Sequence, residues 1–339
     1  GRVDIIKEGS DPWDNPLAFS TNASQKSTIG VSSITDLLNA GTAVTLQANN
    51  DITLSTALTA NNTSGGGGAL TLQAGRSIFL NDSIVTDNGN LTLTANETTA
   101  NGVLDAHRDS GAAVITMLSE KTIDAGSGEV SITLADGAGK TYTESGAVTL
   151  QGIAAGSLTV SNQGPTAGSG ISLGATTLSG NLTLTAAKGD IAQTDALSVA
   201  GTTSLTAGAG NNVTMDNASN DFTGAVSIVS GGTVSLKDAD SLTIGTSDIS
   251  GDLTAEALGG DLTIAGDISK TSGADATAAF KATGSIIQNA ATEIESTSNK
   301  LNTVFLADTD ANGGAIQTIT TSSIATNGGN VTLQSSYAG

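Results

Sequence analysis

A short unit recurs at least fifteen times along the chain: an apolar residue, a Thr or Ser, and a second apolar residue. Examples are Leu70-Thr71-Leu72, Leu182-Thr183-Leu184 and Val331-Thr332-Leu333. Alternation with a period of two residues is typical of a β-strand with one buried face. The β-branched residues Thr, Val and Ile favour the same structure. The sequence therefore predicts many short strands.

The main strands return with a longer period of 21 to 27 residues, marked by a series of glycines: Gly156, Gly180, Gly201, Gly224, Gly251 and Gly273. Two weaker strands follow each main strand, as at Ile191 and at Leu197. If each strand pairs with its counterpart one period further on, three parallel sheets enclose a narrow core. We predict an all-β, right-handed parallel β-helix (a β-solenoid) with three short strands per coil of about 21 to 27 residues.

Inward residues are predicted to stack from coil to coil. Leu182 and Leu184 should lie on Leu205 and then on Val226 and Ile228. A glycine two residues before the apolar unit is predicted to provide the positive φ of a tight corner. This prediction covers eleven glycines: Gly68, Gly89, Gly128, Gly146, Gly156, Gly180, Gly224, Gly232, Gly251, Gly260 and Gly329.

Composition limits both the core and the partners. Aromatic residues make up 2% of the 339 residues, so Leu, Ile, Val and Ala must fill the interior. The net charge of −20 argues against nucleic-acid partners and anionic membranes. No apolar run approaches 18 residues, so no membrane insertion is expected. Cysteine is absent, so there is no disulfide framework and no thiolate metal site. No signal peptide is recognisable, and the repeat pattern runs to the end, so we interpret the chain as a segment of a longer protein.

The first 40 residues depart from the repeat and include Pro12, Trp13 and Pro16. We predict a connecting segment over 1–40 that contains a short helix near 33–41. Ser33 or Thr35 should cap the helix, and Gly41 should end it.

The β-helix itself is predicted over residues 41–339, as a rod of roughly 13 coils. A second irregular stretch, Asn101 to Ser119, contains the single His of the chain, His107. We predict that this stretch is a loop projecting from one coil, near 101–119.

Several segments resemble the repeats of filamentous-haemagglutinin-like exoproteins, and the likeness extends over about residues 30 to 339. They are Asn181-Leu182-Thr183-Leu184-Thr185-Ala186, Gly328-Gly329-Asn330-Val331-Thr332-Leu333 and the stretch from Leu37 to Leu46. The resemblance implies a two-partner secretion substrate, exported through an outer-membrane partner to the bacterial surface. It implies adhesion to host cells, other bacteria or matrix, through a cell-surface or matrix receptor or glycan. A spacer without a ligand is the alternative within this class.

Catalysis is not expected, because a nucleophilic triad needs a base and His107 lies in a predicted loop. The alternative from another class is a β-helix that binds or cleaves polysaccharides with clustered carboxylates. The acids that could form such a cluster lie mainly at predicted turns beside Gly, where Asp commonly stabilises the turn. They are Asp190, Asp238, Asp240, Asp252 and Asp261. We therefore predict a non-enzymatic protein without a required cofactor.

One acidic segment has the spacing of a calcium loop. Asp308, Asp310 and Asn312 alternate, and Gly313 stands at the sixth position. The twelfth position, where such loops carry a bidentate Glu, is Ile319. Calcium binding by Asp308, Asp310 and Asn312 is one interpretation, and a solvated acidic turn is the other.

Sequons of the form Asn-x-Ser/Thr also recur, for example at Asn90 and Asn181. They are either acceptors for glycosylation or a product of a composition rich in Asn and Thr.

Overall fold

A computed structural model describes residues 1–8, 18–20 and 23–335. Pro12, Trp13 and Pro16 lie outside the described residues. The chain forms two compact units. Unit 1 comprises residues 1–180 and 186–188, and unit 2 comprises residues 181–185 and 189–339.

The described residues of unit 1 form one α-helix and seventeen strands. In chain order these are β1 (Arg2–Ile6), β2 (Lys26–Gly30), α1 (Val31–Asn39), β3 (Val44–Ala48), β4 (Ile52–Leu54), β5 (Leu58–Thr59), β6 (Leu70–Ala74), β7 (Ile78–Leu80), β8 (Ile84–Val85), β9 (Leu91–Ala95), β10 (Ala113–Met117), β11 (Thr122–Asp124), β12 (Glu129–Leu134), β13 (Ser145–Leu150), β14 (Gly152–Ala155), β15 (Ser157–Asn162), β16 (Ile171–Leu173) and β17 (Thr176–Leu178). Two 3₁₀ turns, Thr99–Asn101 and Asp105–His107, lie between β9 and β10.

Three parallel sheets wrap unit 1. Sheet I has the order β2-β1-β4-β7-β10-β13-β16, sheet II has β3-β6-β9-β12-β15, and sheet III has β5-β8-β11-β14-β17. Each coil from β3 onward contributes one strand to each sheet, and pairing is in register, as for Leu70 with Leu91 and Leu72 with Leu93. These leucines are fully buried, whereas Thr71 and Thr92 between them face outward.

Helix α1 packs against β2, β3 and β5 and buries Ile34 and Leu38. The predicted cap at Ser33 or Thr35 was wrong, since the helix begins at Val31 after an extended Gly30. Gly41 does end the helix, with φ of +72° and its N–H donated to the Leu38 carbonyl at 2.9 Å. Residues 1–40 are also more than a connecting segment, because β1 pairs with β4 inside sheet I.

In the part of unit 2 that the structure describes there are twenty strands, counting β18, whose last residue falls in unit 1. They are β18 (Leu182–Ala186), β19 (Ile191–Gln193), β20 (Leu197–Val199), β21 (Thr203–Thr206), β22 (Val213–Met215), β23 (Asp221–Phe222), β24 (Val226–Ser230), β25 (Val234–Asp238), β26 (Leu242–Ile244), β27 (Ser247–Asp248), β28 (Leu253–Ala257), β29 (Leu262–Ile264), β30 (Ile268–Lys270), β31 (Ala276–Ala282), β32 (Ile286–Gln288), β33 (Glu293–Ser296), β34 (Leu301–Ala307), β35 (Ile316–Thr318), β36 (Ser323–Ala325) and β37 (Val331–Ser335).

Two long parallel sheets run through unit 2. Sheet IV has the order β19-β22-β25-β28-β31-β34-β37, and sheet V has β18-β21-β24-β26-β29-β32-β35. The third face changes position along the unit. In the coils from β18 to β23 the third strand follows the sheet IV strand, which gives the pair β20-β23 (sheet VI). From β26 onward it precedes that strand, which gives β27-β30-β33-β36 (sheet VII).

The predicted core stack in unit 2 is confirmed for Leu184, whereas Leu182 pairs with Thr203, which pairs with Val226. Leu184 pairs with Leu205, which pairs with Ile228, and all three are fully buried. Both units therefore have the right-handed parallel β-helix fold, with parallel strands joined by short crossovers of the usual hand.

The corner glycines have another role than the one predicted. All eleven lie among the described residues, and each has φ outside the left-handed region. They allow close approach between coils instead. A Cβ at Gly224 would lie 2.3 Å from the Gly201 carbonyl oxygen, and one at Gly68 would lie 2.1 Å from that of Thr42. Glycine is needed here because the backbone of the preceding coil occupies the space of a side chain.

An Asn or Asp follows many of these glycines and joins one coil to the next. The side-chain oxygen accepts the backbone N–H of the next coil, as for Asn181 with Thr202 (2.9 Å) and Asn90 with Glu129 (2.9 Å). The backbone N–H at the corner has no acceptor within the strand ladder, and the side-chain oxygen supplies one. Asn is therefore favoured directly before the apolar-Thr-apolar unit. The fold alone thus accounts for the sequence Asn-apolar-Thr at these two sequons.

Candidate functional site

Two excursions from neighbouring coils of unit 1 meet and form a lobe, defined here as residues 96–112 and 135–144. The Thr99 N–H donates to the Ala138 carbonyl at 3.2 Å. The Asp105 carboxylate accepts both the N–H and the hydroxyl of Thr141, each at 2.7 Å. These hydrogen bonds lower the pKa of Asp105, since they stabilise the ionised carboxylate.

The lobe is fixed to the first coil by two buried asparagines. Asn49 donates to the Leu104 carbonyl at 3.0 Å and accepts the Leu104 N–H at 2.7 Å. Asn50 donates to the His107 carbonyl at 2.8 Å and accepts the Asp109 N–H at 2.6 Å. Four side-chain-to-backbone bonds thus give the segment 104–109 a defined path.

Two buried basic side chains of the lobe, Arg108 and Lys140, share the carbonyl oxygen of Gly75. Arg108 Nε donates to it at 2.9 Å, and Lys140 Nζ donates to it at 2.7 Å. Lys140 Nζ also donates to Asn96 Oδ1 at 2.8 Å. Burial, with a further contribution from the Arg108 charge, lowers the pKa of Lys140 to about 7. Burial likewise lowers the pKa of Arg108.

The prediction of a projecting loop over 101–119 was wrong for its second half, which contains β10, paired with β7 inside sheet I. Residues 101–112 are mostly exposed, and the buried Val103 and Arg108 hold them against the coils. The sequence signal that was missed is Asn49-Asn50-Asp51, a run of three polar residues that are all buried at the corner between β3 and β4.

The outer surface of the lobe differs chemically from the Thr and Ser rows of the sheets. Leu104 is 40% exposed and Tyr142 is 38% exposed. They are the chain neighbours of Asp105 and Thr141, which the two hydrogen bonds from Thr141 to the Asp105 carboxylate hold together. His107 is exposed beside them in the chain, at the rim of a polar pocket that Arg2, Lys26 and other residues line. The lobe therefore presents exposed Leu104, Tyr142 and His107 beside exposed acids such as Asp109 and Asp136.

The corner carboxylates of unit 2 have structural partners. Asp190 Oδ1 accepts the Asn212 N–H at 2.7 Å, and Asp261 Oδ1 accepts the Ser285 N–H at 2.6 Å. Asp252 and Asp240 also lie at such corners, with Asp252 Oδ1 accepting an N–H at 2.8 Å.

Asp238 is buried at the end of β25, and its two oxygens accept the N–H groups of Phe222 (2.7 Å) and Asp240 (2.8 Å). Burial raises the pKa of Asp238. In the part of the chain that the structure describes, no three His, Asp or Glu residues are grouped so as to hold a metal ion.

The segment with calcium-loop spacing forms the corner between β34 and β35. Asp308 is fully buried, and its Oδ1 accepts the Gly313 N–H at 2.8 Å. Asp310 is exposed and accepts a hydrogen bond from the Asn312 amide at 2.6 Å. The structure thus brings these three residues into one turn.

Comparison with known proteins gives one match. Residues 165–229, from the turn before β16 to β24, match a family described as repeats of unknown function (DUF5649). The match agrees with the repeated parallel strands and supports a repeat β-solenoid. None of the curated proteins and none of the solved structures matches the chain. No helix within the described ranges is long and apolar enough to cross a membrane.

Proposed function

We propose that the chain is a structural and adhesive segment of a large secreted bacterial surface adhesin, and that it acts without catalysis. The observation that carries the proposal is the lobe, which mounts exposed Leu104 and Tyr142 on a regular β-helix. The coils provide a rigid support, because every strand inside a sheet pairs with a neighbour on both sides. The lobe provides a surface whose composition differs from the repeat.

The anchoring of the lobe favours recognition over passive spacing. Asn49 and Asn50 fix its backbone, and its buried Arg108 and Lys140 side chains bond it to the Gly75 carbonyl. A surface ordered in this way loses little conformational entropy when it binds a partner. A pure spacer needs no such support, since regular coils suffice to span a distance.

The remaining parts of the proposal rest on the resemblance of the repeats to filamentous-haemagglutinin-like exoproteins. On that resemblance we propose two-partner secretion for the parent protein, with an outer-membrane partner for export and the bacterial surface as location. The expected ligand is a receptor or glycan on host cells, other bacteria or matrix.

Binding of the purified chain to cells and matrix tests the adhesive role. Beads coated with the chain should adhere to at least one surface in a panel of epithelial cells, bacteria and matrix proteins. The double variant Leu104→Ser, Tyr142→Ser should reduce adhesion by about tenfold or more, as expected for central interface residues. Leu118→Ser is the matched control, because Leu118 is 46% exposed but lies outside the lobe.

Equal adhesion of the double variant and the control would contradict a role for the lobe, and absence of adhesion across the panel would leave the spacer as the better account. An assay for cleavage of acidic and neutral glycans separates this proposal from a polysaccharide-processing β-helix. Release of oligosaccharides would overturn the non-enzymatic assignment.

A further inference from the structure

The corner between β34 and β35 is longer than its counterparts. It spans residues 308–315, whereas the preceding corner between β31 and β32 spans 283–285. The Asp308 N–H donates to the Gly284 carbonyl at 2.9 Å, and the Thr309 N–H donates to the Ala282 carbonyl at 3.1 Å. The base of the corner thus follows the preceding coil, and the additional residues form a loop of their own.

The Asp308 carboxylate has one satisfied oxygen and one unsatisfied oxygen. Oδ1 accepts the Gly313 N–H at 2.8 Å, while Oδ2 is buried without a hydrogen-bond donor among the described residues. A buried carboxylate oxygen without a donor or a cation is costly. Asp238, which is also buried at a sheet IV corner, has N–H donors on both oxygens. The unpaired oxygen is therefore a property of the 308–315 corner and is not shared by buried corner carboxylates in general.

We infer that this corner binds one calcium ion through side-chain oxygens of Asp308, Asp310 and Asn312. The hydrogen bond from the sixth residue to the first carboxylate leaves the other oxygen free for the ion. Asn312 offers its carbonyl oxygen once the amide group rotates, which exchanges the Nδ2 donation to Asp310 for coordination of the ion. Hard oxygen ligands at alternate positions are the chemistry that calcium prefers. The inference is independent of the adhesive role.

The site is expected to be weak. Ile319 occupies the position of the bidentate Glu, so backbone carbonyls and water must complete the coordination. A dissociation constant on the order of 10⁻⁴ to 10⁻³ M follows, the range of extracellular calcium modules. Because the Ser335 hydroxyl donates to the Gly314 carbonyl at 2.9 Å, an ordered corner should also steady β37.

Calcium titration of the full chain tests the site. Calorimetry with calcium chloride, up to about 10 mM, should show one site in the stated range. Saturating calcium should raise the thermal midpoint by roughly 2 to 4 °C over the chelator-treated chain. Asp310→Asn should weaken binding at least tenfold without unfolding the protein, since Asp310 is exposed. Asp308→Asn should do the same.

Asp238→Asn is the control for a general loss of negative charge, because the Asp238 carboxylate is already paired. Calcium binding by this variant should match the parent chain. The inference is overturned if no binding occurs at 10 mM, or if Asp310→Asn and Asp238→Asn bind calcium equally. The second result would assign the uptake to the diffuse charge of −20.

Discussion

The regular coils at the start of unit 2 and the lobe of unit 1 are stabilised in different ways. In the coils, Leu184, Leu205 and Ile228 repeat one contact from coil to coil, and an Asn or Asp at the corner repeats one hydrogen bond. In the lobe, Lys140 and Arg108 form hydrogen bonds that no neighbouring coil repeats. Repetition spreads stability over many similar contacts, whereas the lobe depends on a few specific ones.

The largest effect is expected from a cavity in the repeated core. Leu184→Ala should lower the free energy of unfolding by about 2 to 5 kcal/mol, because Leu184 is fully buried between coils. Denaturant unfolding followed by circular dichroism measures the loss. Thr183→Ala, on the outward face, should change it by less than about 0.5 kcal/mol. Similar losses for the two variants would contradict the assignment of faces.

Overpacking at a coil corner should come next. Gly224→Ala places a methyl group 2.3 Å from the Gly201 carbonyl oxygen, so the two coils must move apart. We expect a loss of about 1 to 3 kcal/mol from this steric conflict. Gly210→Ala tests the other role of glycine, since Gly210 has φ of +89° and open space around it. Its loss should be nearer 1 kcal/mol. A loss at Gly224 no larger than that at Gly210 would contradict close approach between coils as the reason for Gly224.

The stability of the lobe should depend on pH in a range where the stability of the coils does not. Burial lowers the pKa of Lys140 from 10.5 to about 7, so between these values the unfolded state binds more protons than the folded state. Stability of the lobe should therefore rise as the pH increases from 7 towards 10. Hydrogen exchange of residues 135–144 should slow correspondingly, after correction for intrinsic rates.

Lys140→Met removes the titrating group and should abolish this rise, while exchange in β18 to β23 stays unchanged relative to the parent. Persistence of the pH effect in the variant would show that another group causes it.

The smallest effect is expected at a corner hydrogen bond. Asp252→Ala removes the acceptor of the Thr277 N–H at 2.8 Å and should cost about 0.5 to 1.5 kcal/mol. Asp252→Asn keeps a side-chain oxygen at the same place and should retain most of that stability. Equal losses in urea unfolding would show that the negative charge matters more than the acceptor geometry.

Much of the fold could be predicted from the sequence, because every coil needs apolar residues at the same inward positions. The alternation in Leu182-Thr183-Leu184 predicts which residues face the core, and the later apolar-Thr-apolar units repeat that prediction. The change of the third face in unit 2 was not predictable, since β20 and β27 are short strands with weak patterns. The predicted role of Gly224 was also wrong. The sequence shows that a glycine is present, but it does not show whether close approach of a neighbouring backbone or a positive φ requires it.

The site was less accessible to sequence reasoning than the fold. His107 and the irregular spacing after β9 marked the segment 101–112 as unusual. Its contacts with Asn49, Asn50 and the Gly75 carbonyl join residues more than thirty positions apart that follow no period. Asp308, by contrast, became a candidate ligand from spacing alone, but its unpaired oxygen is visible only when the burial of each atom is known.

In-register parallel stacking is tested most directly by cross-linking introduced cysteines, which the absence of native cysteine makes simple. Thr183→Cys combined with Ser204→Cys places two outward thiols on paired positions of neighbouring coils. Thr183→Cys combined with Ser198→Cys places them closer in sequence but on different sheets. A short thiol-specific cross-linker should join the first pair much faster than the second. Faster joining of the second pair, or equal rates, would contradict the stacked-coil structure.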